Sequence, residues 1–124
     1  MKMKLVKRIF AVCLVLVCVV SLAISASAAS IPSGVDCWHG NDYDAKKCYA
    51  ETLQDSNTYT IGAQISWQVT GSSDVVWGKR ESSTGHTVRS SSSSLRGKSG
   101  QSFGYYYVNS QEVHKSTAWM NFSF

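Results

Sequence analysis

The sequence predicts an all-β fold, a small antiparallel β-sandwich. Three observations carry that reading. From Tyr59 to Val69 every second residue is apolar (Tyr59, Ile61, Ala63, Ile65, Trp67, Val69), with Thr, Gly, Gln and Ser between them. Side chains of a strand alternate between its faces, so this stretch has one apolar face and one hydroxyl and amide face. Shorter strand-like runs follow it, separated by turn residues at short intervals. Finally, all 4 Trp and all 6 Tyr lie beyond residue 28, which gives a small domain an aromatic-rich core.

The chain has 124 residues, and its beginning reads as a leader. Lys2, Lys4, Lys7 and Arg8 are followed by an uncharged apolar run from Ile9 to Ile24 and then by Ser25-Ala26-Ser27-Ala28-Ala29. A basic end, an apolar run and a small-residue site make a secretory signal peptide. Residues 1–28 are therefore expected to be cleaved, leaving 29–124 as a single secreted domain with no stable transmembrane anchor. Cys13 and Cys18 follow Val12 and Val17, not the small residue that a lipid-attachment site requires, and they leave with the leader.

Removing the leader changes the charge. The chain carries 12 bases and 8 acids, and four of the bases lie in the leader, so eight of each remain. A near-neutral domain lacks the electrostatic footprint of a nucleic-acid binder. The remaining bases are concentrated after Lys79 (Arg80, Arg89, Arg96, Lys98, Lys115), but interleaved strands ordinarily mix such charges over the surface.

The elements follow in order. Ser30 to Asp36 reads as a frayed polar lead. Cys37 and Cys48 are the two cysteines of an exported domain and are expected to form a disulfide. That bond would close a short loop and stabilise by ~2–3 kcal/mol. Ala45, Cys48, Tyr49, Thr52 and Leu53 are spaced for one helical face behind Asp44 as N-cap, which predicts a short helix over Ala45–Gln54. A strand over Lys47 to Leu53 is the competing reading. The long strand comes next. Gly71-Ser72-Ser73-Asp74 is a turn, and Val75 to Lys79 completes a hairpin. His86 to Ser90 is a weaker strand. Ser90 to Gly100 reads as an exposed polar connection. Ser102 to Asn109 is a strand with bulk on both faces. It places Phe103, Tyr105 and Tyr107 on one side and Gly104, Tyr106 and Val108 on the other. The last strand, Lys115 to Phe124, sets Ala118, Met120, Phe122 and Phe124 against Thr117, Trp119, Asn121 and Ser123.

Few residues point to chemistry. His39, His86 and His114 have no metal-ligand spacing, so no metal or other cofactor is expected. Asp42, Asp44 and Glu51 resemble part of a calcium loop, but Lys46 and Lys47 stand where a ligand and a glycine are needed. No serine sits in a Gly-x-Ser-x-Gly elbow, and no catalytic residues can be named. The sequence therefore predicts a binding protein, not an enzyme. Aromatics are the suggestive feature. Trp38, Trp67, Trp77, Tyr105, Tyr106, Tyr107 and Trp119 exceed what one small core needs, and the competing reading is that Trp67, Trp77 and Phe122 are simply that core. Trp119 and Tyr106 oppose the more apolar or more populated face of their own strands and, with Trp38, are the candidates for binding a cell-envelope component or glycan.

The tail also carries a resemblance. Arg96-Gly97-Lys98, Gly104 within an aromatic strand, and Ala118-Trp119-Met120-Asn121-Phe122 resemble the end of lactococcin 972-type bacteriocins. The resemblance covers roughly the last thirty residues. It implies a small exported β-sandwich protein acting on the envelope of competing bacteria through the cell-wall precursor lipid II, and it transfers no binding residue.

Overall fold

The computed structural model describes Ser30–Phe124; the expected leader, 1–28, lies outside the described residues. Among the described residues nine strands form: β1 (Val35–Asp42), β2 (Lys47–Gln54), β3 (Ile61–Val69), β4 (Val76–Trp77), β5 (Glu81–Ser83), β6 (Thr87–Ser91), β7 (Ser99–Val108), β8 (Gln111–Lys115) and β9 (Met120–Ser123). They make two antiparallel sheets. The smaller has the order β1-β2-β6. The larger has the order β4-β3-β7-β8, with β5 also paired to β3 and β9 to β7.

β3 is the spine of the larger sheet. It pairs with β7 along its whole length, from Ile61 opposite Val108 to Val69 opposite Gly100. Its apolar face turns inward, and Ile61, Ala63, Ile65 and Trp67 are buried against Cys48, Ala50, Val88, Tyr106 and Phe122. Burying a large apolar side chain contributes about 1.5–3 kcal/mol, so this alternation selects the sandwich over an open sheet.

The segment expected as a helix is strand β2. Its inward residues are Cys48, Ala50, Thr52 and Gln54, every second one, while Leu53 is half-buried on the other face. The polar members of that row are satisfied. Thr52 Oγ1 donates to the Gly62 carbonyl at 2.7 Å, and Gln54 Nε2 donates to the carbonyls of Tyr59 and Gly85. Those acceptors lie on β3, just before it and in the loop before β6, so the sequence alone offers no sign that a threonine and a glutamine can face the core. The turn before β2 is capped by Asp42, whose Oδ1 accepts from the Ala45 N–H, and Lys46 takes a positive φ of 55°.

The expected disulfide is absent. Cys37 and Cys48 are both free thiols. The segment between them is not a loop but two paired strands with their turn. Cys37 lies opposite Thr52, while Cys48 lies opposite Asn41. Four residues of ladder at about 3.4 Å each put the two Cα atoms about 14 Å apart. A disulfide tolerates about 7 Å.

The serine-rich connection is also more buried than expected. Ser90, Ser92 and Leu95 lie in the interior. Ser92 Oγ accepts the Cys48 N–H at 3.0 Å and Ser90 Oγ donates to the Lys79 carbonyl at 2.6 Å. Ser90 lies within β6 opposite Ala50, and the Ser92 N–H donates to the Cys48 carbonyl just beyond it.

Candidate functional site

β7 positions the most distinctive surface of the molecule. Its inner face is Gly100, Ser102, Gly104, Tyr106 and Val108, all buried. A Cβ on Gly104 would stand 2.5 Å from the Tyr106 hydroxyl and 3.2 Å from the Ala50 Cβ. Glycine there lets the Tyr106 ring lie back along its own strand and donate to the Trp38 carbonyl at 2.9 Å. The outer face carries the remaining rings, Phe103, Tyr105 and Tyr107.

Two tryptophans extend this row. Trp77 on β4 packs on Tyr105 with 5.0 Å between ring centroids. Tyr105 meets Phe103 at 5.3 Å, and Phe103 meets Trp119 at 5.3 Å. Trp77 and Trp119 are 52% and 39% exposed. The result is a four-ring stripe, Trp77-Tyr105-Phe103-Trp119, across the outer face of the larger sheet. Beneath it lies the polar face of β3. Ser66, opposite both Phe103 and Trp77, is fully buried and donates to the Phe103 carbonyl. A groove of about 520 Å³ runs beside Phe103, bounded by Glu112 to Thr117.

The stripe leads along β7 to Tyr107. The Arg80 guanidinium lies over that ring, 3.5 Å from its centroid, and donates from Nη2 to the Ser110 carbonyl at 2.9 Å. Burial raises the Tyr107 phenol above its ordinary value, and the Arg80 charge opposes that shift.

The sequence candidates divide. Trp119 belongs to the stripe. Tyr106 does not: it is 2% exposed and forms part of the core, with burial pushing its phenol up to about 12. Its inward position follows from the glycines beside it on β7, which leave room for one large ring on that face. Trp38 is 59% exposed but stands on β1, in the smaller sheet, and does not meet the stripe. Trp77, which the sequence left open between core and surface, is a surface residue, because its opposite number is the outward Ser66, while the inward Trp67 faces Val76.

A second concavity of about 430 Å³ is lined by Cys37, His39, Tyr106, His114, Ser116 and Trp119, among others. His39 bonds through Nε2 to Ser102 Oγ at 2.8 Å and through Nδ1 to Ser116 Oγ at 3.1 Å. Burial lowers its pKa and so favours the neutral ring. Ser102 is fully buried and the second nitrogen meets a hydroxyl, not a carboxylate. The pair joins β1 to the larger sheet, with Ser116 lining the concavity. Burial, with Asp36 adding to it, pushes the Cys37 thiol up to about 11. No group of three or more His, Cys, Asp or Glu side chains among the described residues is placed to hold a metal ion.

Comparison with known protein families, curated proteins and solved structures finds no match to this chain. The stripe must therefore be read from its own geometry. The alternation of Phe103, Tyr105 and Tyr107 was a usable sequence signal. The meeting of β4, β7 and the segment before β9 was not.

Proposed function

We propose that this protein is an exported binding module that takes a cell-envelope or extracellular glycan on the face Trp77-Tyr105-Phe103-Trp119. The observation that carries this reading is the stripe itself. Four rings succeed one another at near-equal spacing, and the outer two remain well exposed. Sugar rings present C–H faces that stack on aromatic rings, while their hydroxyls need polar partners alongside. Gln101, Asn121 and Lys115 are exposed along the flanks of the stripe. A near-neutral domain with a polar-edged aromatic surface suits a glycan better than a nucleic acid.

The test is tryptophan fluorescence during titration with a panel of soluble polysaccharides and peptidoglycan fragments. A ligand should shift the emission, and Trp77→Ala or Trp119→Ala should weaken binding at least about fivefold while the far-UV spectrum is unchanged, because stacking on one ring is worth on the order of 1–3 kcal/mol. No response across the panel would overturn the reading.

A bacteriocin-like role is a second reading. The resemblance includes Trp119 in the run Ala118–Phe122, and Trp119 is also one end of the stripe. An envelope-directed antimicrobial would use the same face. Purified mature protein should then inhibit growth of related bacteria, less so as Trp119→Ala. Glycan binding without inhibition would leave the module reading alone.

A further inference from the structure

Beyond the four rings, the same face continues into a hollow of about 270 Å³ lined by Arg80, Tyr107, Thr60, Ser82 and Ser110, among others. Arg80 is held there from two sides. Its guanidinium rests on the Tyr107 ring and one Nη2 N–H is bound to the Ser110 carbonyl. Its remaining donors have no partner among the described residues, and neither ion pair found among them, Lys79–Glu81 and Arg89–Glu51, involves it. An exposed arginine that is ordered but carries no carboxylate is a preorganised anion receptor.

The backbone around it is built at a cost. Val108 faces Gln111, so Asn109 and Ser110 form a two-residue hairpin turn. Both take positive φ, 50° and 66°. Asparagine tolerates that region, whereas serine does so with strain. The turn brings the Ser110 carbonyl to Arg80. Asn109 locks the other side, accepting the Thr60 N–H on Oδ1 and donating its own N–H to the Thr60 carbonyl. Thr60, Ser82 and Ser110, each with a hydroxyl, also line the hollow.

We infer that this hollow is an acidic-group subsite, and that the glycan taken by the aromatic face carries carboxylates, as uronic-acid sugars do. This rests on the glycan reading above. Arg80 is the one cation of the hollow, which matches a singly charged group. With one edge of the guanidinium held by Ser110, the free edge is a two-donor fork that fits a planar carboxylate. The continuity of Tyr107 with Tyr105 on the outer face of β7 puts the anion next to the stacked sugars.

The experiment compares three defined probes by tryptophan fluorescence and calorimetry: a hexamer of galacturonic acid, its methyl-esterified form and cellohexaose. The acid should bind at least about tenfold more tightly than its ester at low salt, as a charge-assisted fork implies. Added salt should narrow that preference. Arg80→Gln, which keeps an amide donor for the Ser110 carbonyl, should bring the affinities of acid and ester together. Arg80→Lys should recover part of the preference, and Arg89→Gln, on the opposite sheet, should leave it intact. Equal binding of acid and ester by the unaltered protein would overturn the subsite and leave the platform standing. Binding of none of the three would overturn the subsite, and the full glycan panel then decides the platform separately. Stronger, Arg80-dependent binding of poly(glycerol phosphate) would replace the carboxylate by a phosphodiester.

Discussion

His39 ties the two sheets together through hydroxyls at both ring nitrogens, Ser102 on β7 and Ser116 beyond β8. Its burial depresses the pKa, so the folded state resists a proton that the unfolded chain accepts near pH 6.5. The contribution of neutral His39 is therefore whole above about pH 6.5 and is lost as pH falls through the lowered value. Urea unfolding of the protein and of His39→Gln between about pH 7.5 and pH 5 checks this. The stability gap between them should shrink on acidification. His114 and the Cys37 thiol share the same concavity, and they remain in both proteins, so the difference isolates His39. A gap that does not change with pH would contradict the assignment. The thiols make a second residue-scale case. Cys37 and Cys48 are both pushed up to about 11, chiefly by burial. A thiol with so little thiolate at neutral pH reacts slowly. Titration with a colorimetric thiol reagent should find both groups, slowly in buffer and rapidly in urea, and reductant should not shift the melting temperature. A protein whose thiols stay silent even in urea would contain the bond that the register forbids.

At the scale of elements, the β7–β8 turn is the place where sequence and backbone conflict. Two-residue hairpins of this type favour Asn-Gly, and here Ser110 holds the second place with φ 66°. Ser110→Gly should relieve a strain of about 1 kcal/mol and raise the urea midpoint accordingly. If the midpoint falls instead, the serine side chain contributes more than its backbone costs. The long strands were legible because each alternates: β3 by its inward apolar row and β7 by the outward row of Phe103, Tyr105 and Tyr107. β2 was not legible, because Ala45, Cys48, Tyr49, Thr52 and Leu53 also satisfy a helical period. The tie is broken by β1 and β6, which supply backbone partners on both edges, and by Gly62, Tyr59 and Gly85, whose carbonyls accept the buried polar groups.

On the scale of the whole molecule, the two sheets present unlike outer faces. The smaller carries Trp38 and the Arg89–Tyr49 stack, with Arg89 also bonded to Glu51 at 3.1 Å. The larger carries the aromatic stripe and Arg80. The bases that cluster in the second half of the sequence are thus divided between opposite faces, as interleaved strands require. Ligand binding should accordingly respond to Trp77→Ala and Trp119→Ala but not to Trp38→Ala, measured on the same glycan. An equal loss from Trp38→Ala would move the site to the other sheet. What the sequence by itself determined is the all-β class, the inward row of β3 and the aromatic wealth of the domain, because side-chain alternation and composition are local properties. Which rings face solvent, how far apart the cysteines lie and where Arg80 comes to rest were decided only by the tertiary structure, because each depends on the register between strands distant in the chain.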